Sequence, residues 1–346
     1  MGSHLCSFFD LKAEGSLFTP YDRLFDGLKK LIDLQLHINE IDTIEEGTFD
    51  DLENLQTLHL AKNHLSSVSS VLFSKLHKLQ VLRLYENQLT AIPDDIFEKL
   101  SNLKEIALQN NKITAISTHL FPHKNKLSKI LLDNNILTEL PPEIFVGFPL
   151  LKTLTLNGNK LASLPPVLFG EMPKLTELSL SQNSLTSLPQ GVFSPLKKLR
   201  KLDLSNNQLF AVSEDKKINA ISAKWFPHKN KLSKILLDNN ILTELPPEIF
   251  VGFPLLKTLT LNGNKLASLP PVLFGEMPKL TELSLSRNSL TSLPQGVFSP
   301  LKKLRKLDLS NNQLLAVSGE SFEGLENPFS SANVFGVQQP RSSPTQ

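Results

Sequence analysis

Leucines and polar residues recur along the chain in a unit of 24 residues, LxxLxLxxNxLxxLPxxxFxxLxx. The LxL core alternates apolar with polar positions, which is the period of a short strand with one buried face. A unit of this length cannot bury its apolar side chains alone, so the units must stack into a solenoid with a parallel sheet. The twelve units that fit the pattern begin at Leu31, Leu55, Leu79, Leu103, Leu127, Leu151, Leu175, Leu199, Leu232, Leu256, Leu280 and Leu304.

Two further positions of the unit predict structure. Phenylalanine recurs every 24 residues from Phe25 to Phe193 and, after one step of 33, from Phe226 to Phe322. Because Phe has no polar group, we expect these rings to form a dry seam behind the strands. An asparagine fills the ninth position of all twelve units, where its amide can both donate to and accept from backbone groups that the turn leaves unpaired.

This unit resembles that of the leucine-rich-repeat proteins, in the "typical" 24-residue subclass with a Phe spine. Serum leucine-rich glycoproteins, the regulatory subunit of carboxypeptidase N and Toll-like receptor ectodomains are similar in this unit. The resemblance implies an α/β fold, a right-handed leucine-rich-repeat solenoid (horseshoe) with a concave parallel β-sheet and a mostly irregular convex face. It also implies a non-catalytic protein that recognises a protein ligand through the concave face, secreted or as a receptor ectodomain.

Other features of the sequence favour a different location. Cys6 is the one cysteine, so the disulfide-bonded caps of secreted relatives are missing, and the sequence has neither an N-x-[S/T] acceptor nor a visible signal peptide. These absences favour an incomplete chain or an intracellular scaffold in the cytoplasm. A third hypothesis is a regulatory subunit that holds an enzyme.

The pattern divides the chain into three parts. Residues 1–30 are expected to form a partial repeat that serves as an improvised cap, residues 31–327 the solenoid, and residues 328–346 a disordered tail. Residues 121–213 and 226–318 are copies apart from two positions, Gln182 against Arg287 and Phe210 against Leu315. Nine surplus residues fall between the copies, near 210–225. Segments 209–213 and 218–222 fit the same slot of the unit, and we expect one of them to fill it and the other to loop out.

Charge and motifs exclude several functions. Lys and Arg (36) nearly balance Asp and Glu (34). The net charge of +2 is therefore too small to create a positive electrostatic field that would attract nucleic acid. No apolar run approaches the roughly 20 residues that cross a bilayer. The sequence contains no phosphate-binding, nucleophile-elbow or zinc motif, so we expect no enzyme activity, no cofactor and no metal site.

Function is therefore expected on the side chains that the sheet cannot bury, which line up in rows across neighbouring strands. Tyr and Arg most often anchor protein interfaces, and this points to the surroundings of Tyr85. Leu131 and Leu236 are apolar residues at positions predicted to face outward. The candidate partner-binding residues are His37, His59, Arg83, Tyr85, Glu86, Gln109, Leu131 and Leu236.

A basic cluster also recurs and gives a weaker hypothesis. It runs from the loop onto the strand, where it could bind a sulfated polysaccharide or an acidic protein. Asp203 and Asp308 lie beside it, and charge at a strand edge also limits unwanted pairing. The cluster consists of Lys197, Lys198, Arg200 and Lys201, with its copy Lys302, Lys303, Arg305 and Lys306.

Overall fold

A computed structural model describes residues 24–210, 221–226, 228–323 and 325. The chain divides into two compact units, the first ending at Leu175 and the second beginning at Thr176. Most of the expected cap over residues 1–30 and all of the expected tail over residues 328–346 lie outside the described residues.

Six strands of three residues each form the sheet of the first unit. They pair in parallel and in chain order, and Leu34, Leu58 and Leu82 lie side by side in register. The step between partners is therefore one repeat of 24 residues. The strands are β1 (Asp33–Gln35), β2 (Thr57–His59), β3 (Val81–Arg83), β4 (Glu105–Ala107), β5 (Lys129–Leu131) and β6 (Thr153–Thr155).

The second unit repeats this arrangement. Its strands are also parallel and in chain order, and the longer repeat is accommodated because Lys201 of β8 still pairs with Lys234 of β9. Each unit thus confirms the predicted solenoid with a parallel sheet. The strands are β7 (Glu177–Ser179), β8 (Lys201–Asp203), β9 (Lys234–Leu236), β10 (Thr258–Thr260), β11 (Glu282–Ser284) and β12 (Lys306–Asp308).

The phenylalanine seam is present in both units. Ring centroids of successive members lie 6.0 Å apart for Phe145 and Phe169, and 6.1 Å apart for Phe250 and Phe274. Phe49 is 1% exposed and Phe193 is fully buried, so water is excluded from the seam. Burial of such a side chain stabilises the fold by roughly 1.5–3 kcal/mol, which explains why the ring recurs.

The repeated asparagines form the expected ladder. Asn111 donates from Nδ2 to the carbonyls of Leu108 and Leu84, each at 3.0 Å, and its Oδ1 accepts from the Leu89 backbone N–H at 3.0 Å. Each amide thereby joins its own turn to the preceding repeat. The backbone groups at the end of each strand are satisfied without water.

The return segments contain turns and, among the described residues, three short 3-10 helices, Ser70–Phe73, Ala223–Trp225 and Gly319–Phe322. Isolated bridges join Phe145 to Phe169 and Phe250 to Phe274.

The surplus residues are accommodated differently from the expectation that one of two segments fills the slot. Leu209, from the first segment, is fully buried, and its N–H donates to Asn240 Oδ1 at 3.0 Å. Ile221, from the second segment, is 1% exposed. The two segments share the slot, because Leu209 supplies the first apolar side chain of the slot and Ile221 supplies the second. Residues 211–220, between them, lie outside the described residues.

Candidate protein-binding face

The exposed side of each sheet is formed by the first and third residues of its strands, and we call it the sheet face. In β3, for example, Leu82 is buried while Val81 and Arg83 are half-buried. The same alternation recurs in the second unit, where Leu202 is buried between Lys201 and Asp203. The sheet face therefore presents rows of side chains at one-repeat intervals, as predicted.

Three rings pack together on the sheet face of the first unit, and we call them the histidine–tyrosine column. The ring centroids of His37 and His59 lie 4.1 Å apart, and those of His59 and Tyr85 lie 5.5 Å apart. The backbone bonds from Ile38 N to Ala61 O and from Lys62 N to Tyr85 O place Ala61 between His37 and Tyr85 in one row. Because Ala61 has almost no side chain, the imidazole of His59 fills the space above it.

This packing corrects the expectation for His59. The sequence predicts an exposed contact residue at this position, but the side chain of His59 is only 6% exposed because the rings on either side cover it. His37 and Tyr85 are half-buried and form the accessible surface of the column. A partner would therefore contact His37 and Tyr85, while His59 supports them from beneath.

The central ring of the column is held in its neutral form. Burial lowers the pKa of His59 to about 4, helped by the nearby positive charges of His37 and Arg83 and opposed by Asp33 and Glu105. The Ala61 N–H donates to His59 Nδ1 at 3.4 Å, which leaves the Nε2–H directed at Tyr85 Oη, 3.5 Å away. At neutral pH the buried imidazole of His59 is thus uncharged.

Ion pairs surround the column. Arg83 Nε lies 2.9 Å from Glu105 Oε1, and Lys129 Nζ lies 3.7 Å from the other oxygen of the same carboxylate. Lys62 and Glu86 form a second, more exposed pair at 3.7 Å. Each of these charged side chains therefore has an opposite charge beside it.

Two side-chain atoms near this surface are buried without a hydrogen-bond partner among the described residues. They are His37 Nδ1 and Gln109 Oε1. An unsatisfied buried polar atom costs roughly 1–3 kcal/mol, and neither atom is accessible to a partner unless its side chain moves. The predicted contact residue Gln109 is therefore half-buried, with its carbonyl turned inward.

The sheet face of the second unit is different in character. Asp203 and Asp308 each accept from the hydroxyl of the serine two residues later, at 2.6 and 2.7 Å. Burial opposes ionisation of Asp308, but hydrogen bonds from Ser310 and neighbouring serines outweigh it and hold its pKa below the ordinary value. This part of the surface consists of short polar groups that satisfy one another.

The two predicted apolar residues lie where the sequence places them. Leu131 is the third residue of β5 and Leu236 the third residue of β9, and both are half-buried on the sheet face. Leu131 belongs to the first unit and Leu236 to the second.

The basic clusters are less available than expected. Lys201 lies 3.6 Å from Glu177, and Lys306 lies 2.8 Å from Glu282. Lys197 and Lys302 have partners as well. The remaining members of the clusters are exposed: Lys198, Arg200, Lys303 and Arg305.

Sequence reasoning missed one backbone feature of the site. The residue before each ladder asparagine adopts a positive φ, for example 52° at Glu86 and 56° at Asn110. Asparagine or glycine at several of these positions was a signal for this left-handed conformation. The conformation turns the chain at the end of each strand and fixes where Glu86 projects.

Within the described ranges, no three His, Cys, Asp or Glu side chains are arranged to hold a metal ion. A search of the same residues for a long, apolar helix able to cross a membrane found none.

Comparisons with known proteins agree with this geometry. A leucine-rich-repeat family model matches residues 125–180, 149–209, 212–266, 230–290 and 278–327. A model of the BspA-type leucine-rich-repeat region matches residues 21–147. No curated protein matches the sequence.

Solved structures resemble the chain over most of its length. A chain of the Drosophila Toll–Spatzle complex is 27% identical over 84% of this chain, with a TM-score of 0.71. A chain of the octameric complex of Latrophilin 3, Unc5D and FLRT2 is 28% identical over 77% of this chain and 78% of its own length, with a TM-score of 0.65. The leucine-rich-repeat domain of APL1B, 22% identical with a TM-score of 0.68, covers 88% of this chain and 84% of its own and shares the fold. The present chain spans about two fifths (39%) of the chain in the Toll–Spatzle complex.

Proposed function

The chain belongs to the leucine-rich-repeat family, and we propose that it is a non-catalytic recognition protein that binds a protein partner through the sheet face. The binding surface is centred on the histidine–tyrosine column and includes Arg83, Glu86 and Gln109. This surface belongs to what the sequence predicts as the concave side.

One observation carries the proposal: an aromatic surface is packed and held in place on a largely polar sheet face. His37 and Tyr85 present rings supported by buried His59. Arg83 lies beside them with its guanidinium fixed by Glu105. Rigid aromatic and arginine side chains lose little entropy on binding, which is why they dominate the energetics of protein interfaces.

The comparisons support the same role. The similar structures include the complex of Toll with Spatzle and an assembly of Latrophilin 3 and Unc5D with the leucine-rich-repeat region of FLRT2. We extend protein binding to this chain by analogy with those complexes. By the same analogy we propose an extracellular location, against the alternatives of a cytoplasmic scaffold or a regulatory subunit of an enzyme.

The test is affinity capture with matched variants. The wild-type chain, the double variant Arg83→Ala/Tyr85→Ala and the control Lys99→Ala are immobilised and exposed to extracellular fluid and to cytosol. Lys99 is exposed on a return segment, where it pairs with Glu98. We expect one protein to be retained by the wild type and the control and to bind the double variant about 2 kcal/mol more weakly. Equal affinity for all three would contradict the proposal, and the fraction that supplies the partner decides the location.

A further inference from the structure

We infer that the sheet face carries two copies of one binding site, one in each unit. Each copy takes an extended protein segment in which an apolar side chain lies next to a lysine or arginine. The inference rests on the proposed function, because it specifies a segment that the sheet face recognises and how many such segments bind.

The two sites consist of corresponding residues of the duplicated blocks. In the first unit Leu131 of β5 pairs in register with Thr155 of β6. In the second unit Leu236 of β9 pairs in the same way with Thr260 of β10. The full sites are Leu131, Asp133, Thr155 and Asn157 in the first unit, and Leu236, Asp238, Thr260 and Asn262 in the second.

The same hydrogen bond positions the carboxylate in both sites. The hydroxyl of Thr155 donates to Asp133 Oδ1, and the hydroxyl of Thr260 donates to Asp238 Oδ2 at 2.6 Å. In the second site the backbone N–H of Asn262 also donates to Asp238, at 2.8 Å. Each aspartate is therefore held beside its leucine by groups that carry no charge.

These aspartates differ from the glutamates of the sheet face. Glu105, Glu177 and Glu282 each lie within 3.7 Å of a lysine or arginine. Asp133 and Asp238 have no such cationic neighbour among the residues that the structure describes. A partly buried carboxylate without a counter-charge attracts a cation, so charge complementarity selects a basic group on the ligand.

The leucines supply the second requirement. Both occupy a strand position that the following strand fills with threonine, and both are half-buried on an otherwise polar surface. Leu131 is flanked on the other side by Ala107, whereas Leu236 is flanked by Asp203. Both sites thus combine an apolar contact with a carboxylate, and the second site has the greater negative charge.

The neighbouring strands provide substitutions that the fold already accommodates. Leu131→Thr with Asp133→Asn gives β5 and its turn the residues that Thr155 and Asn157 supply one repeat later. Leu236→Thr with Asp238→Asn makes the same change in the second unit. Both double variants keep the buried middle residue of the strand, so their urea midpoints are expected to equal that of the wild type.

The experiment uses random 12-residue peptides displayed on phage and selected on the full chain. We expect the selected peptides to share an apolar residue beside a lysine or arginine, and calorimetry to count two peptides per chain. Either double variant should bind one peptide, and the quadruple variant should bind at least tenfold more weakly. Lys99→Ala serves as the control and should still bind two.

Several results would overturn the inference. These are a selection without the apolar–basic pair, one peptide per wild-type chain, or a stoichiometry that neither double variant changes. If the peptides instead lose binding in Arg83→Ala/Tyr85→Ala, the two-site inference fails while recognition by the sheet face stands. If neither set of substitutions affects any selected ligand or the captured partner, both proposals fail.

Discussion

The imidazole of His59 is enclosed by the imidazole of His37, with ring centroids 4.1 Å apart and an interplanar angle of 25°. Two protonated rings at this separation would repel each other, and Arg83 adds a third positive charge nearby. The column is therefore a surface that keeps its geometry only while His59 is neutral.

This relationship predicts a pH dependence of stability. The folded-state pKa of His59 is about 4, below its ordinary value of 6.5, so the unfolded chain binds the proton more readily. The contribution of the neutral His59 imidazole to the stability of the fold is fully present above pH 6.5 and is lost as the pH falls towards 4. Urea unfolding of the wild type and of His59→Phe should differ in this window. Between pH 7 and pH 4 the free energy of unfolding should fall by about 2 kcal/mol less in the variant than in the wild type. Identical pH profiles would contradict the buried, neutral imidazole.

The asparagine ladder predicts a large effect of a single amide. Asn111→Ala removes three bonds to carbonyls and one from the Leu89 N–H, most of them in a buried region. We expect the free energy of unfolding to fall by about 2–4 kcal/mol, because these backbone groups would lack partners. The adjacent Lys112→Ala, on an exposed side chain, should change stability by less than about 0.5 kcal/mol. Comparable losses in both variants would show that the ladder is not the cause.

Ile38 predicts a gain in stability. It has a φ of 58°, and among the described non-glycine residues with positive φ it is the one β-branched residue. Its side chain is 68% exposed, so no packing offsets the strain. Ile38→Asn, which introduces the residue type found at Asn110 and Asn134, should raise the free energy of unfolding by about 1 kcal/mol in urea denaturation.

Ile32→Asn is the matched control for that substitution. Ile32 is 53% exposed in the same repeat but has no positive φ. It should therefore show no comparable gain. A loss of stability in Ile38→Asn would mean that the isoleucine makes a contact that the strain argument overlooks.

The sequence predicted those features that depend on one repeat and its period. The strand positions, the Phe145–Phe169 seam and the Asn111 ladder follow from apolar spacing and from side-chain chemistry within the unit. Each side chain meets its own counterpart one repeat later, so the pattern of a single unit is enough to define the contact.

Features that depend on differences between neighbouring repeats were not predicted. The burial of His59 requires the small Ala61 to lie between two larger residues of adjacent strands. The shared slot requires Leu209 and Ile221, twelve positions apart, to be read as one unit. The first depends on which side chains become neighbours across strands, and the second on where extra residues enter a unit. A framework pattern records neither.

The most direct test of recognition by the sheet face is hydroxyl-radical footprinting of the wild-type chain with and without its captured partner. The account predicts that labelling of His37 and Tyr85 falls at least threefold in the complex, while the exposed return-segment residues Val71 and Val167 are labelled as before. Protection of Val71 or Val167 with unchanged labelling of His37 and Tyr85 would contradict it.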